Sequence, residues 1–259
     1  MPGLALHPER MLPADATLRP IARELYASVR DLPIISPHGH VPPVWLADDV
    51  PFADPTSLLI TPDHYVNRML HSHGVSLADL GVAQADFTPE QSRNAFRILC
   101  SHWSDYRGTP VRFWLESELA DIFGIDLAPS ADTADQIYDS IAAALVTPAF
   151  KPRALFERFK ISFLATTDDP CDNLEHHAKL AADASWHGTV VPTFRPDKYL
   201  EPARPDWTEL VDNLAAVSGI ATDTYAGGPQ AGAAQRLALA ARLRGHHRRT
   251  RNRRGCHRR

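Results

Sequence analysis

Two β-rich segments, each followed by a helical pattern, constrain what this chain can fold into. "KISFLATTDDP" runs from Lys160 to Pro170 and "GTVVPTFRPDK" from Gly188 to Lys198, and each stops at polar residues. The helical stretch "DNLEHHAKLAADA" follows the first, and a stretch with Leu210, Leu214 and Val217 on one face follows the second. Strand, polar loop, helix, repeated, is the rhythm of βα units and of a parallel sheet. An earlier apolar run, "LPII" from Leu32 to Ile35, predicts a further strand. It follows a helix predicted over Thr17 to Arg30, with Pro20 in its first turn and Ile21, Leu25 and Val29 at helical spacing.

From His40 to Lys160 the pattern is helical instead. Asp63 is placed as an N-cap before "HYVNRMLHSHG", with Gly74 as the stop. Thr88 to Gln91, "TPEQ", has the form of a capping box, and Phe96, Leu99, Trp103 and Tyr106 mark the apolar face that follows. "TPVRFWLESELADIFG" ends at Gly124, Ile137, Ile141 and Leu145 stand four apart, and "KPRALFERF" starts another helix. The expected organisation is an N-terminal helix and first strand over 1–40, a helical insertion over 41–159, further βα units over 160–226, and a separate tail over 227–259. Three strands at most are identifiable.

Composition supports a folded body with something unlike it attached. With 44% apolar residues among 259, the chain can bury a core of one or two domains. No stretch has the length and apolarity of a membrane span, and the first residues lack the apolar region of a secretory signal. Cys100, Cys171 and Cys256 are far apart and odd in number, which fits a reducing cytoplasm rather than a disulfide framework. The net charge of -4 averages two different segments. Residues 227–259 hold ten Arg with no Lys and no acid, so the rest carries 17 basic residues against 31 acidic ones, a charge of -14.

The residues able to carry chemistry sit where strands end. His38 and His40 follow the first strand with one small residue between them, and side chains two apart on a strand share a face. Two neutral imidazoles suit a borderline divalent ion such as zinc, although two ligands do not complete a site. Arg195, after the strand "TVVPTF", is either a bidentate clamp for a carboxylate or one half of an ion pair at the rim. Tyr65 is either a core aromatic or a phenol reaching a site. Thr166, Thr167, Asp168 and Asp169 read as a strand end and turn, with Asp169 before Pro170 as a capping residue. His176 and His177 are helical neighbours about 100° apart, an arrangement that disfavours a shared metal.

In combination, "PIISPHGH", "PDHYVNRML", "LATTDDPCDNLEHH" and "PTFRPDK" closely resemble the uronate (glucuronate) isomerase family of the amidohydrolase superfamily, over about residues 7–226. The resemblance implies a distorted (β/α)8 TIM-type barrel with a helical insertion after the first strand, here incomplete. It implies a divalent metal, zinc by preference, held by His38 and His40, with Tyr65 reaching the sugar and Arg195 stabilising charge on it. The implied reactions interconvert D-glucuronate with D-fructuronate and D-galacturonate with D-tagaturonate. The expected partner is a small-molecule hexuronate, with no membrane; a homo-oligomer stays open for the full-length family form. Many superfamily members carry an acid two residues before the first His, where this chain has Ser36.

The family also places a further metal-binding His on a later strand and an Asp at the end of the last one, and nothing in this chain matches either. A barrel takes about 250 residues, and much of this chain is helical insertion. The expectation is therefore a truncated, inactive form. The basic tail reads either as a nucleic-acid-binding arm or as a GC-rich gene end out of frame, and its lack of Lys, acid and aromatic residues favours the second. A metal-dependent hydrolase on the same barrel is the competing enzyme reading, disfavoured by the contexts of Tyr65 and Arg195.

Overall fold

A computed structural model of the chain describes residues 3–4 and 6–222. The reading of 227–259 as a nucleic-acid-binding arm or an out-of-frame gene end lies outside the described residues. In chain order the regular elements begin with α1 (Leu18–Val29), β1 (Ile34–Ser36), α2 (Pro43–Asp48), α3 (Pro55–Leu59) and α4 (His64–Ser72). Then come α5 (Pro89–Ser101), α6 (Pro110–Ser117), α7 (Ala134–Leu145) and α8 (Pro152–Arg158). The series closes with β2 (Ile161–Asp168), α9 (Glu175–Ala182), β3 (Thr189–Phe194) and α10 (Trp207–Ser218). Two compact units result, one of residues up to Leu32 with Val50–Leu155, the other of Pro33–Asp49 with the described residues from Phe156 on.

The first unit is helical because its caps and apolar spacing agree. The Asp63 carboxylate accepts from the amides of Tyr65 and Val66 at the start of α4. At α5, Thr88 and Gln91 exchange both capping-box bonds, at 3.3 and 2.8 Å, with Pro89 as the first helical residue. Ile137, Ile141 and Leu145 of α7 are fully buried in the same core as Val66, Leu70, Phe96, Leu99 and Tyr106. Tyr106 satisfies its hydroxyl by donating to the Val66 carbonyl at 2.7 Å, and burial pushes its phenol pKa up. Helix α1 is the exception: its apolar face forms as predicted, yet none of its residues is buried and Leu25 is 65% exposed.

A π-helical turn, Glu118–Ile122, continues α6 and sets Glu118 at an apolar hollow lined by Leu59, Phe96, Leu99 and Trp103. Burial there, helped by the charge of Asp63, raises the Glu118 carboxyl to about 7.

The second unit is an α/β layer. Its sheet has the order β1-β2-β3 with both pairings parallel, and a register shift falls between Ile34 and Ile35. Leu164 on β2 packs with Leu46 and Ala47 of α2, Leu180 of α9, and Phe156 and Trp186. Lys179 of α9 joins Asp48 of α2 at 2.7 Å. Gly188 precedes β3 where a Cβ would overlap the rings of Trp186 and Phe156, so that approach admits only glycine. Three parallel strands with helices between them are a part of a barrel wall, left open at β1 and β3 among the described residues. Among those residues no helix is long and apolar enough to cross a membrane.

Candidate functional site

The parallel sheet brings the C-terminal ends of β1, β2 and β3 to one edge, where the sequence concentrates its polar residues. His38 and His40 follow β1 in a loop, not within the strand. Their convergence therefore comes from a bend and not from strand alternation. Pairing of β1 with β2 stops at Ser36, whose hydroxyl donates to the His38 carbonyl at 3.0 Å. Gly39 then passes so close over β2 that a Cβ would meet the Ala165 carbonyl oxygen at 3.2 Å and Leu164 Cδ1 at 3.3 Å. From β2, Thr167 Oγ1 donates to the Gly39 carbonyl at 2.7 Å.

The two Nε2 atoms end 3.1 Å apart, with the rings edge-on at 86°. As it stands the contact suits one Nε2–H donating to its neighbour. The separation also suits two lone pairs directed at one ion, since tetrahedral sites with bonds of about 2.0–2.1 Å set their nitrogens about 3.3 Å apart. Both histidines are exposed. Among the described residues no group of three His, Cys, Asp or Glu could hold a metal ion.

Arg195 directly follows β3, and its amide donates to the Asp168 carbonyl at 3.3 Å, extending the ladder by one rung. Its Nε bonds Asp197 Oδ2 at 2.5 Å, which is the rim ion pair foreseen as one alternative. The N–H groups on Nη1 and Nη2 lie outside that bond and keep the fork that binds carboxylates. The backbone at Arg195 and at the histidine loop share one end of the sheet, with β2 between them, two strand spacings or about 10 Å across.

Tyr65 belongs to the helical unit, on α4. It is 46% exposed, which excludes the core reading. Its ring lies against His64 at 4.2 Å and edge-on to Trp114 of α6 at 5.9 Å, with the Arg68 guanidinium 5.0 Å above it.

One polar cluster escaped the sequence reading. Thr166 and Asp168 share the face of β2 that meets α9, and both are buried there with His177. Thr166 Oγ1 lies 2.6 Å from Asp168 Oδ2, 2.8 Å from His177 Nε2 and 3.2 Å from the Val191 carbonyl. One hydroxyl proton serves one acceptor, so with Thr166 donating to the carboxylate, His177 donates from Nε2. Burial lowers the His177 pKa, opposed by Asp168 and Asp172 and assisted by His176. Asp168 Oδ2 also accepts from the Thr193 amide at 3.3 Å. Period two puts Thr166 and Asp168 on the same face as Leu164, but only the docking of α9 adds His177 to them.

Asp169 does act as a turn residue, accepting from the Cys171 amide at 2.9 Å, and it gathers Lys198 and the Tyr199 hydroxyl as well. Lys198, Cys171 and Tyr199 hold its carboxyl below the ordinary range against the opposing effect of burial, which is the largest single influence on it.

Comparison with known proteins bears on what this edge does. Residues 14–232 match the family model described as glucuronate isomerase. The chain is 56% identical over 226 residues to a uronate isomerase from Cutibacterium acnes, a match covering 87% of this chain and 48% of that one. Among solved structures, glucuronate isomerase from Caulobacter crescentus superimposes with a TM-score of 0.86 at 41% identity, covering 92% of this chain and 50% of that one. Uronate isomerase from Thermotoga maritima superimposes at 0.78 with 27% identity. The chain spans about half the length of the curated relatives it matches.

Proposed function

The chain belongs to the glucuronate isomerase family, and from that premise we propose that it supplies part of a site for the aldose–ketose isomerisation of hexuronates. D-Glucuronate to D-fructuronate and D-galacturonate to D-tagaturonate are the reactions meant. The observation that carries the reading is the convergence of His38 Nε2 and His40 Nε2 at the sheet end that also presents Arg195.

His38 and His40 fit a divalent ion in donor type and spacing, and zinc suits two imidazoles. Such an ion, when bound, polarises sugar oxygens and lowers the cost of negative charge on them. The chain's own residues have complementary tasks. Moving the carbonyl from C1 to C2 requires removing a proton α to it and holding the negative charge of the resulting enediolate. Arg195 faces that demand with a cation whose Asp197 bond engages Nε alone. The Tyr65 phenol is exposed on α4 of the helical unit, and its role at the sugar hydroxyls rests on the family resemblance alone. Among the described residues no third His, Cys, Asp or Glu joins the pair in a group able to hold an ion.

A chimera tests this directly. Residues 7–226 of this chain would replace the matching half of the Caulobacter crescentus enzyme, and ketose formation from D-glucuronate would be followed. Turnover that disappears on His38→Ala supports the assignment. A folded chimera that binds zinc yet forms no ketose would sink it.

A further inference from the structure

We propose that Thr167 is a positioning residue for the His38–His40 pair, acting through Gly39 and touching neither imidazole, beside the Ser36 bond to the His38 carbonyl. The inference rests on the functional reading only in its purpose, since the geometry stands without a metal. The main-chain ladder between β1 and β2 ends at the Ser36–Leu164 pair, two residues before His38. Beyond that point the loop needs another anchor to hold one conformation, because both histidines are exposed and have no core to lock them. The Thr167 hydroxyl provides it, donating to the Gly39 carbonyl at 2.7 Å and so tying the residue between the two histidines to the strand beneath.

Three features make this bond specific. Thr167 is on the opposite face of β2 from buried Thr166 and Asp168, so its hydroxyl is not drawn into that cluster. Its β-branched side chain has restricted rotamers on a strand, which aims the hydroxyl in a fixed direction. Gly39 has no side chain to hold its carbonyl away, and added bulk would meet the Ala165 carbonyl oxygen at 3.2 Å. Thus β2 carries both sides of the candidate site: Thr167 ties down the histidine loop, and the adjacent Asp168 carbonyl receives the Arg195 amide.

The test uses the full 259-residue chain and three variants: Thr167→Val and Thr167→Ala, which lack the hydroxyl, and Thr167→Ser, which keeps it. The first readout needs no metal. The nuclear Overhauser contact between the His38 and His40 rings, whose centroids are 4.8 Å apart, should persist in the parent and Thr167→Ser and vanish in the other two. The second is titration with Zn2+ alone, where loss of the hydroxyl should weaken binding roughly 10- to 100-fold and serine should restore it. An undiminished ring contact in Thr167→Val and Thr167→Ala, or its equal loss in Thr167→Ser, overturns the proposal. A parent chain that binds no Zn2+ overturns the metal reading instead, and the ring contact alone then decides the role of Thr167.

Discussion

At the scale of single residues, Arg195 and Glu118 show how surroundings decide what a charge can do. Arg195 is half-exposed and shares one nitrogen with Asp197, so the fold invests little in it. In the chimera, Arg195→Met should therefore lower kcat/KM by roughly 100-fold or more, as loss of a charge-stabilising donor does, while the melting temperature barely moves. Equal losses of activity and stability would mark it as a rim ion pair. Glu118 is the reverse case, a carboxyl the fold prefers uncharged. Its folded pKa is about 7 against an ordinary 4.5, so its favourable contribution is complete below about pH 4.5 and is lost as pH rises through about 7. Glu118→Gln should accordingly be neutral in acid and stabilise the helical unit at about pH 8, by on the order of 2 kcal/mol. Thermal melts of both proteins at the two pH values check the sign.

At the scale of elements, what could be read from the sequence is what each segment settles locally. Helices α4 and α5 were legible because cap and apolar spacing agree, through Asp63 and through Thr88 with Gln91, and α7 from its stripe alone, Ile137, Ile141 and Leu145. The three strands were legible because each is bounded by turn residues. The histidine pair was legible as a pair, but the reason for its convergence was not, since the bend rests on Gly39 meeting a strand over a hundred residues later in the chain. The Thr166, Asp168 and His177 cluster was hidden for the same reason, because only the docking of α9 on β2 brings its members together. Amphipathic spacing gave the helix α1 but not its exposure. Its stripe is as regular as that of α7, yet burial, not spacing, sets the energy. Ile141→Ala should cost about 2–5 kcal/mol by leaving a cavity, and Leu25→Ala within about 0.5 kcal/mol, measured by denaturant unfolding of each variant.

At the scale of the whole molecule, the sheet edges left unpaired among the described residues are the feature most open to association. The β1 strand presents Ile35 at 69% exposure beside an edge with no partner strand among the described residues. Ile35→Lys should reduce self-association in light scattering without lowering the melting temperature, because a charge on an edge discourages strand addition. The opposite edge differs in kind. On β3 the Arg195 amide points to β2, and in a parallel ladder alternate amides share that direction, so the nitrogen of Pro192 is directed outward. Proline has no hydrogen there to give. A strand arriving on that side meets a gap in the row of donors at Pro192, three residues before Arg195. The outer edge of β3 thus carries one silent position wherever a neighbouring strand would pair with it, a gap the sheet keeps however it is completed.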